Sequence, residues 1–369
     1  MQACSPDMVS VIITGVSGGS IGNELIKALR LAEASYHIIG VDMNPASLGL
    51  YQADESCIVP LALDPEYVDV LLELCEKKNA RVLIPGSEPE MKIISANRQL
   101  FTEANILTLI NSAYVINLCT DKWKTINFLT ENGFNSPKSV LLKNEDDCTK
   151  IEKMPVVIKP STGSGGSNLV FIAQDIEESR FFARYILKAG MLPIAQEYLG
   201  AFDEEYTVGV LTTLDGELVS SLAVHRRIMS GLSNRMKING RVGKYAGKTL
   251  AISSGISQGA IEDLPEIRSE CERLAAALGS KGPLNIQLRV ADGKVYIFEI
   301  NPRFSGTTAF RALAGCNEPD ILIRHHLFDD SFRPVSYEYG EVVRGLVERF
   351  IPPEELSNHV YLCKKRSES

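Results

Sequence analysis

Residues 295–306 read VYIFEINPRFSG, an apolar strand pattern that runs into a polar, turn-forming segment. Just upstream, residues 285–290 read NIQLRV, a second strand pattern, and the ADGK between them puts Asp292-Gly293 at a hairpin turn. Pairing the two strands brings Gln287 opposite the region of Glu299. Alternation sets Gln287 on one face of its strand, while Glu299, Asn301 and Arg303 share a parity on theirs. A carboxylate, two amide oxygens and a guanidinium thus converge on one surface. Hard oxygen donors of this kind suit Mg2+, which keeps several waters and is usually shared with phosphates. An arginine beside them can hold a phosphoryl group through two hydrogen bonds. The plain alternative is a solvated hairpin with four polar residues; the interruption of an apolar strand by NPRFSG argues against it.

Two glycine-rich runs offer places for phosphates. Residues 161–168, STGSGGSN, follow the strand pattern MPVVIKP and its Lys159. Glycines let the backbone approach a ligand, successive N–H groups form an anion nest, and Lys159 adds a point charge. A flexible linker is the competing reading, yet the run joins two β-rich segments that need only a tight turn. Residues 15–22, GVSGGSIG, follow the strand pattern VSVIIT and open a helix pattern. A GxGxxG fingerprint starting at Gly15 requires glycine at 17 and 20, where Ser17 and Ser20 stand; the TGxxGxxG variant requires it at 21, where Ile21 stands. A tight turn with Ser20 and its neighbours capping the helix explains the run without a nucleotide. It then reads as part of a crevice wall.

Outward from these motifs, the first ~110 residues alternate short apolar runs (VSVIIT, HIIGVD, RVLIPG, ILTLI) with amphipathic segments (SIGNELIKALRLAEA, PEYVDVLLELCEKKN, EMKIISANRQLFTEAN). Parallel strands need crossover helices, so this pattern predicts a doubly wound α/β domain over residues 1–115. From Asp121 the texture changes: DKWKTINFLTENGF reads as a helix ended at Gly133, followed by β-rich runs and one helical segment, DIEESRFFARYILKAG. The segment SGLSNRMKINGRVGKYAGK is polar, basic and glycine-rich, and is read as a mobile loop. PEIRSECERLAAALG is a helix, and the tail from about Tyr337 is accessory structure. Ser87 and Glu88 in IPGSEPE sit at a strand's carboxyl end; they either contact the acceptor or cap a helix, with Glu88 on its dipole.

The chain has 369 residues, 45% apolar and 23% charged, with a net charge of −8. That length suits two or three domains, and the acidic balance predicts no nucleic-acid partner. Neither a leader peptide nor an apolar run near the ~18 residues of a membrane span is evident, so a cytoplasmic protein without a membrane partner is expected. The eight cysteines lack CxxC spacing and read as buried free thiols. The His325-His326 doublet reads as helix packing rather than a metal site.

Gln287, FEINPRFSG, VVIKPSTGSGGSN and the hinge-like QEYLGAFDEEYTVGV together resemble the ATP-grasp superfamily, in particular its carbamoyl-phosphate synthetase large-chain-like carboxylate-amine ligases. The likeness spans roughly residues 1 to 330. It implies an amino-terminal pre-ATP-grasp domain (1–115), a small grasp subdomain with the glycine loop (116–195) and a large subdomain with the metal site and carboxy-terminal extension (196–369). It implies ATP and Mg2+, with Mn2+ as a substitute. Lys159 and, from the helix entering the fold, Lys122 become basic ATP contacts. Thr162, Gly163, Ser164, Gly165, Gly166 and Ser167 become the loop over the β and γ phosphates. Glu197, Tyr198 and Leu199 become the adenine hinge and Glu205 the ribose carboxylate. Gln287, Glu299 and Asn301 become the metal ligands, and Arg303, with Lys159, the catalytic pair at the transferred phosphate.

Arg226 and Arg227 match a region where relatives place substrate-facing groups; they either bind an acidic substrate or keep a loop soluble. The implied reaction joins a small carboxylate to an amine, or to a thiol, through an acyl phosphate, releasing ADP and phosphate. Its partners are small molecules and, by default for such enzymes, a second copy of the chain. Length for one grasp unit only argues against carbamoyl phosphate synthesis. Two other classes remain: an NAD(P)-dependent oxidoreductase built on GVSGGSIG, with Asp42 some twenty residues beyond, and a non-catalytic nucleotide-binding module.

Overall fold

The structure is a computed structural model describing residues 8–163, 168–228, 231–255, 258–331, 335–357 and 360–361. The amino-terminal strands are β1 (Val9–Thr14), β2 (Tyr36–Asp42), β3 (Glu55–Ile58), β4 (Ala80–Ile84) and β5 (Leu107–Thr108). Four helices run between them: α1 (Ile21–Arg30), α2 (Tyr67–Lys77), α3 (Glu88–Ala96) and α4 (Arg98–Glu103). The sheet is parallel with β1 at its centre, between β2 and β4. Val11 and Ile13 face one apolar layer and Ile12 the other, so both faces of β1 are covered. That two-sided burial is why its sequence is an unbroken apolar run. β3 falls in ESCI, too short and polar to stand out in the sequence.

Helices α5 (Ala113–Cys119) and α6 (Lys122–Glu131) lead to a four-stranded sheet of β6 (Ser139–Leu141), β7 (Val156–Pro160), β8 (Phe171–Ala173) and β9 (Pro193–Glu197), ordered β6-β9-β7-β8. Helix α7 (Ile176–Lys188) begins where the Asp175 side chain accepts the Glu178 N–H, and packs Ala183 and Ile186 on this sheet.

A second six-stranded sheet follows, from β10 (Glu205–Thr212), β11 (Leu218–Arg226), β14 (Gly259–Ile261), β15 (Pro283–Ala291) and β16 (Lys294–Asn301), closed at one edge by β17 (Gly340–Val342). Helix α8 (Pro265–Leu278) ends at left-handed Gly279 and covers one face. The α5 and α6 side chains Val115, Cys119 and Leu129 join the same layer, so this helical segment packs against the large sheet. The opposite face of the sheet floors a cleft.

The polar segment read as a mobile loop is instead an antiparallel hairpin of β12 (Asn234–Asn239) and β13 (Thr249–Ser253); Met229 and Ser230 lie outside the described residues. Its apolar residues are few, but Tyr245, Leu250 and Ile252 pack on Tyr198 and Ile172. Tertiary burial overrides the polar composition that suggested mobility.

Helices α9 (Thr308–Leu313) and α10 (Glu318–Phe328) return to the amino-terminal sheet, where Leu322 and Ile323 complete the layer around Leu25. The tail continues through β17 and α11 (Pro353–Ser357) to β18 (Val360–Tyr361), which pairs with β3. Six cysteines, at 57, 75, 119, 148, 271 and 316, are free and buried as expected; Cys4 and Cys363 lie outside the described residues.

Candidate active site

The predicted hairpin forms, turning through Asp292 and Gly293, both with positive φ. Gln287 stands directly opposite Glu299. The alignment depends on a bulge: Leu288 pairs with Ile297 and Gln287 with Glu299, leaving Phe298 as an extra residue. Ile297 and Ile300 therefore both enter the core, while Phe298 and Glu299 both face the cleft. Strict alternation from the turn would have sent Glu299 to the same side as Ile297. Asn301 donates from Nδ2 to Glu299 Oε1 (3.1 Å), and its Oδ1 accepts from Arg303 (2.9 Å). Glu299, Asn301 and Arg303 thus form one chain of hydrogen bonds beside Gln287.

The cleft is about 850 Å3, in the upper part of the ~300–1,000 Å3 typical of small-molecule sites. Lys159, at the end of β7, and Lys122, at the start of α6, both line it with Gln287, Glu299 and Arg303. Lys122 is set there by the Asp121 cap and by its own backbone N–H, which donates to Ser161 O (2.8 Å). Lys159 is 4% exposed and reaches across to the Phe298 carbonyl at 3.4 Å. Burial pushes its ammonium down to about 8, partly offset by the Glu299 charge. Burial opposes the Glu299 charge too, but Lys122 and Lys159 outweigh it and hold the carboxyl below its usual range. Gly163 and Asn168 line the cleft, and Thr162 is exposed beside them. Ser164, Gly165, Gly166 and Ser167 lie outside the described residues.

Glu197, Tyr198 and Leu199 line the far end as β9 leaves the small sheet. Tyr198 is pinned there: its O–H donates to Ala251 O at 3.3 Å, its ring lies under the Arg289 guanidinium at 4.5 Å, and its carbonyl accepts from Tyr245 O–H at 2.8 Å. Glu205 is 2% exposed, and both its oxygens are taken. Arg226 donates to Oε1 (2.9 Å), while Nε and a terminal nitrogen of Arg289 donate to Oε2 (3.0 and 2.9 Å). Burial works against ionisation of Glu205, and the two guanidiniums reverse it. Arg226 belongs to this buried cluster rather than to the cleft lining, and Arg227 turns outward to Glu262 and Glu341.

The amino-terminal domain supplies the remaining wall through Gly19, Ser20, Ile21, Gly86, Ser87 and Glu88. Ser20 caps α1, accepting from Asn23 N–H and donating to Gly15 O (2.7 Å). The glycines here answer to packing. A Cβ on Gly22 would stand 2.5 Å from Thr14 O, and one on Gly86 only 2.1 Å from the same oxygen. Ser87 caps α3 and also lines the cleft, while Glu88 is paired with Lys92 at 2.7 Å, so capping and access to the cleft coexist.

Sequence reading passed over Arg289 and Asn285, both of which line the cleft. Their signal was present: both share the parity of Gln287 in an otherwise apolar strand. Lys92 was also missed; it lies one helical turn beyond Glu88. Asp215, His325 and His326 approach closely enough to share an ion, away from this cleft. There His326 Nε2 accepts from Leu214 N–H (3.1 Å) and His325 Nδ1 donates to Asp330 O (3.1 Å).

A family model described as the ATP-grasp domain matches residues 119–307, and one described as the PylC-like N-terminal domain matches residues 12–110. The carbamoyl phosphate synthase large chain of Neisseria meningitidis serogroup B is 25% identical over 288 residues, covering 77% of this chain and 25% of its own length. The chain thus spans about a quarter of the length of the curated relatives it matches. An L-amino acid ligase from Bacillus licheniformis superposes with a TM-score of 0.60 at 18% identity, over 88% of this chain and 77% of that one. N5-carboxyaminoimidazole ribonucleotide synthetase from Thermotoga maritima gives 0.55 at 18% identity, over 89% and 78%. These two likenesses speak for the fold, a parallel-sheet domain leading into a grasp of two sheets around a cleft. With the ATP-grasp model matching more than half of its residues, the chain belongs to the ATP-grasp family.

Proposed function

We propose that the chain is an ATP-dependent ligase that activates a small carboxylate as an acyl phosphate and passes it to an amine. The observation that carries this reading is the convergence of Gln287, Glu299 and Arg303 with Lys122 and Lys159 on one cleft, with buried Asn301 hydrogen-bonded to Glu299 and Arg303. Its oxygen donors fit Mg2+: Glu299 supplies a carboxylate held ionised, with the Gln287 amide opposite. Bound there, the ion would neutralise charge on phosphate oxygens. Gln287, Glu299 and Asn301 are the proposed ligands, with Asn301 also orienting Glu299 and Arg303.

Lys122, Lys159 and Arg303 stabilise negative charge on the phosphoryl group in transit, which is most of what phosphoryl transfer asks of a protein. Carboxylates are poor electrophiles; phosphorylation supplies a leaving group, and the amine then displaces phosphate. Thr162 to Ser167 are the proposed contacts of the β and γ phosphates; water competes for the acyl phosphate and must be kept from it. Glu197, Tyr198 and Leu199 are the proposed adenine contacts. Glu205 is the proposed ribose carboxylate, acting from within its arginine cluster. Ser20, Ser87 and Glu88 face the acceptor. The division 1–115, 116–195 and 196–369 is the proposed functional plan, with the β-rich body of the middle unit beginning at β6. A cytoplasmic setting, small-molecule substrates and a homodimer complete the proposal.

The test is ADP release with MgATP across a panel of carboxylates and amines, with mass detection of products. Hydroxylamine in place of the amine should trap a hydroxamate. Arg303→Ala should lower turnover by ~10^2-fold or more while the protein still binds nucleotide. Absence of MgATP binding by the unaltered chain would overturn the reading.

A further inference from the structure

A second, smaller pocket of about 360 Å3 lies behind the hinge, between α6 and the small sheet. Its lining includes Ile126, Val140, Ile151 and Val156, an apolar surface against which the ring of Trp123 forms a wall. Three lysines stand at the pocket, Lys138, Lys150 and Lys153, each with more than half of its side chain exposed. Their carboxylate partners are Glu152 at 3.1 Å, Asp147 at 2.6 Å and Glu197 at 3.6 Å. Lys138–Glu152 is exposed on both sides, and such pairs are weak; Asp147 and Glu197 are largely buried, but their lysines stand in solvent, where the ammonium ends can turn to an incoming anion. Pro137 and Glu197 line both this pocket and the large cleft, and the Glu197 backbone N–H donates to Lys138 O at 2.8 Å. The two cavities thus share a wall at the hinge.

We propose that this pocket is a second binding site, for a small organic anion with an apolar body such as an aromatic carboxylate or sulfonate, and that its occupation is coupled to nucleotide binding through the Lys153–Glu197 pair. The volume, at the small end of the range for ligand sites, suits one or two rings. The apolar wall takes the body and the lysines take the charge. An anion that draws Lys153 toward itself removes the counter-charge of Glu197 at the end of the cleft proposed to hold adenine. The coupling rests on that assignment of the cleft; binding in the smaller pocket does not.

Trp123 is the only tryptophan in the chain, which gives the pocket its own reporter. The probe is 5-dimethylaminonaphthalene-1-sulfonate, a two-ring sulfonate, titrated into the 369-residue chain with excitation of Trp123 and detection of sensitised probe emission. The expected result is one saturable phase that persists under saturating MgADP, with an apparent affinity shifted by about fivefold or more, the lower range of allosteric coupling. Lys150→Glu together with Lys153→Glu should weaken the probe severalfold, and Thr130→Phe, which fills the pocket from an exposed position, should do the same. Complete displacement of the probe by MgADP, absence of sensitised emission, or unchanged affinity in both variants would overturn the site. Persistent binding with no shift would overturn the coupling alone. Nucleotide titration without the probe reads the ligase proposal separately.

Discussion

Lys159 carries the clearest pH signature. Its ammonium is pushed down to about 8 by burial, from an ordinary value of 10.5. Only the protonated form attracts phosphate, so MgATP affinity should decline as pH rises through about 8, and Lys159→Met should abolish that decline while weakening binding at neutral pH. Stability has the opposite sign. Between 8 and 10.5 the unfolded chain holds this proton more firmly than the folded one, so the Lys159 contribution favours folding as pH rises. Parallel titrations of nucleotide affinity and denaturant midpoint check both directions. Glu205 is different in kind: a buried carboxylate neutralising two buried guanidiniums. Glu205→Ala should cost ~3–5 kcal/mol by urea denaturation, because it leaves those charges uncompensated. The sequence displayed Glu205 but not its partners, since Arg226 sits on β11 and Arg289 on β15, far apart along the chain. What sequence offered was the shared parity of Asn285, Gln287 and Arg289.

The elements that were legible had strong local signals. The β1–α1 and α7 segments have apolar periodicity and caps at Ser20 and Asp175, and the β15–β16 hairpin has its Asp-Gly turn. Elements decided by tertiary contact were not legible. The β12–β13 hairpin is polar over most of its length and is held by Tyr245, Leu250 and Ile252, with Met236 and Ile238 beside them, in one cluster with Tyr198 and Ile172. The bulge at Phe298 left no mark in composition, yet it turns Glu299 toward the cleft. At the α1 and α3 junctions the glycines serve contact with β1. Gly86→Ala should therefore destabilise the amino-terminal domain by ~1–3 kcal/mol through overpacking, read as a lower urea midpoint. Gly133→Ala meets no neighbour but must hold a positive φ, so its smaller cost comes from backbone conformation alone.

Across the whole molecule, the carboxy-terminal tail is a strap. Arg344 donates to Glu24 on α1 (2.6 Å) and to Gly306 O (2.9 Å), joining the amino-terminal wall of the cleft to the loop that follows Arg303. Arg349 donates to the Tyr51 carbonyl. These residues belong to no motif, because each matters only for what it reaches. The strap's two strands have a further consequence. β17 covers the edge of β14 in one six-stranded sheet, and β18 covers β3 in the other. Shortening the chain to residue 331 would bare both rows of backbone donors and acceptors, the template on which strands from different molecules join. The shortened protein should scatter light and sediment as aggregates at concentrations where the full chain stays clear. Two and three residues of strand at the far end of the chain thus act as guards against self-association.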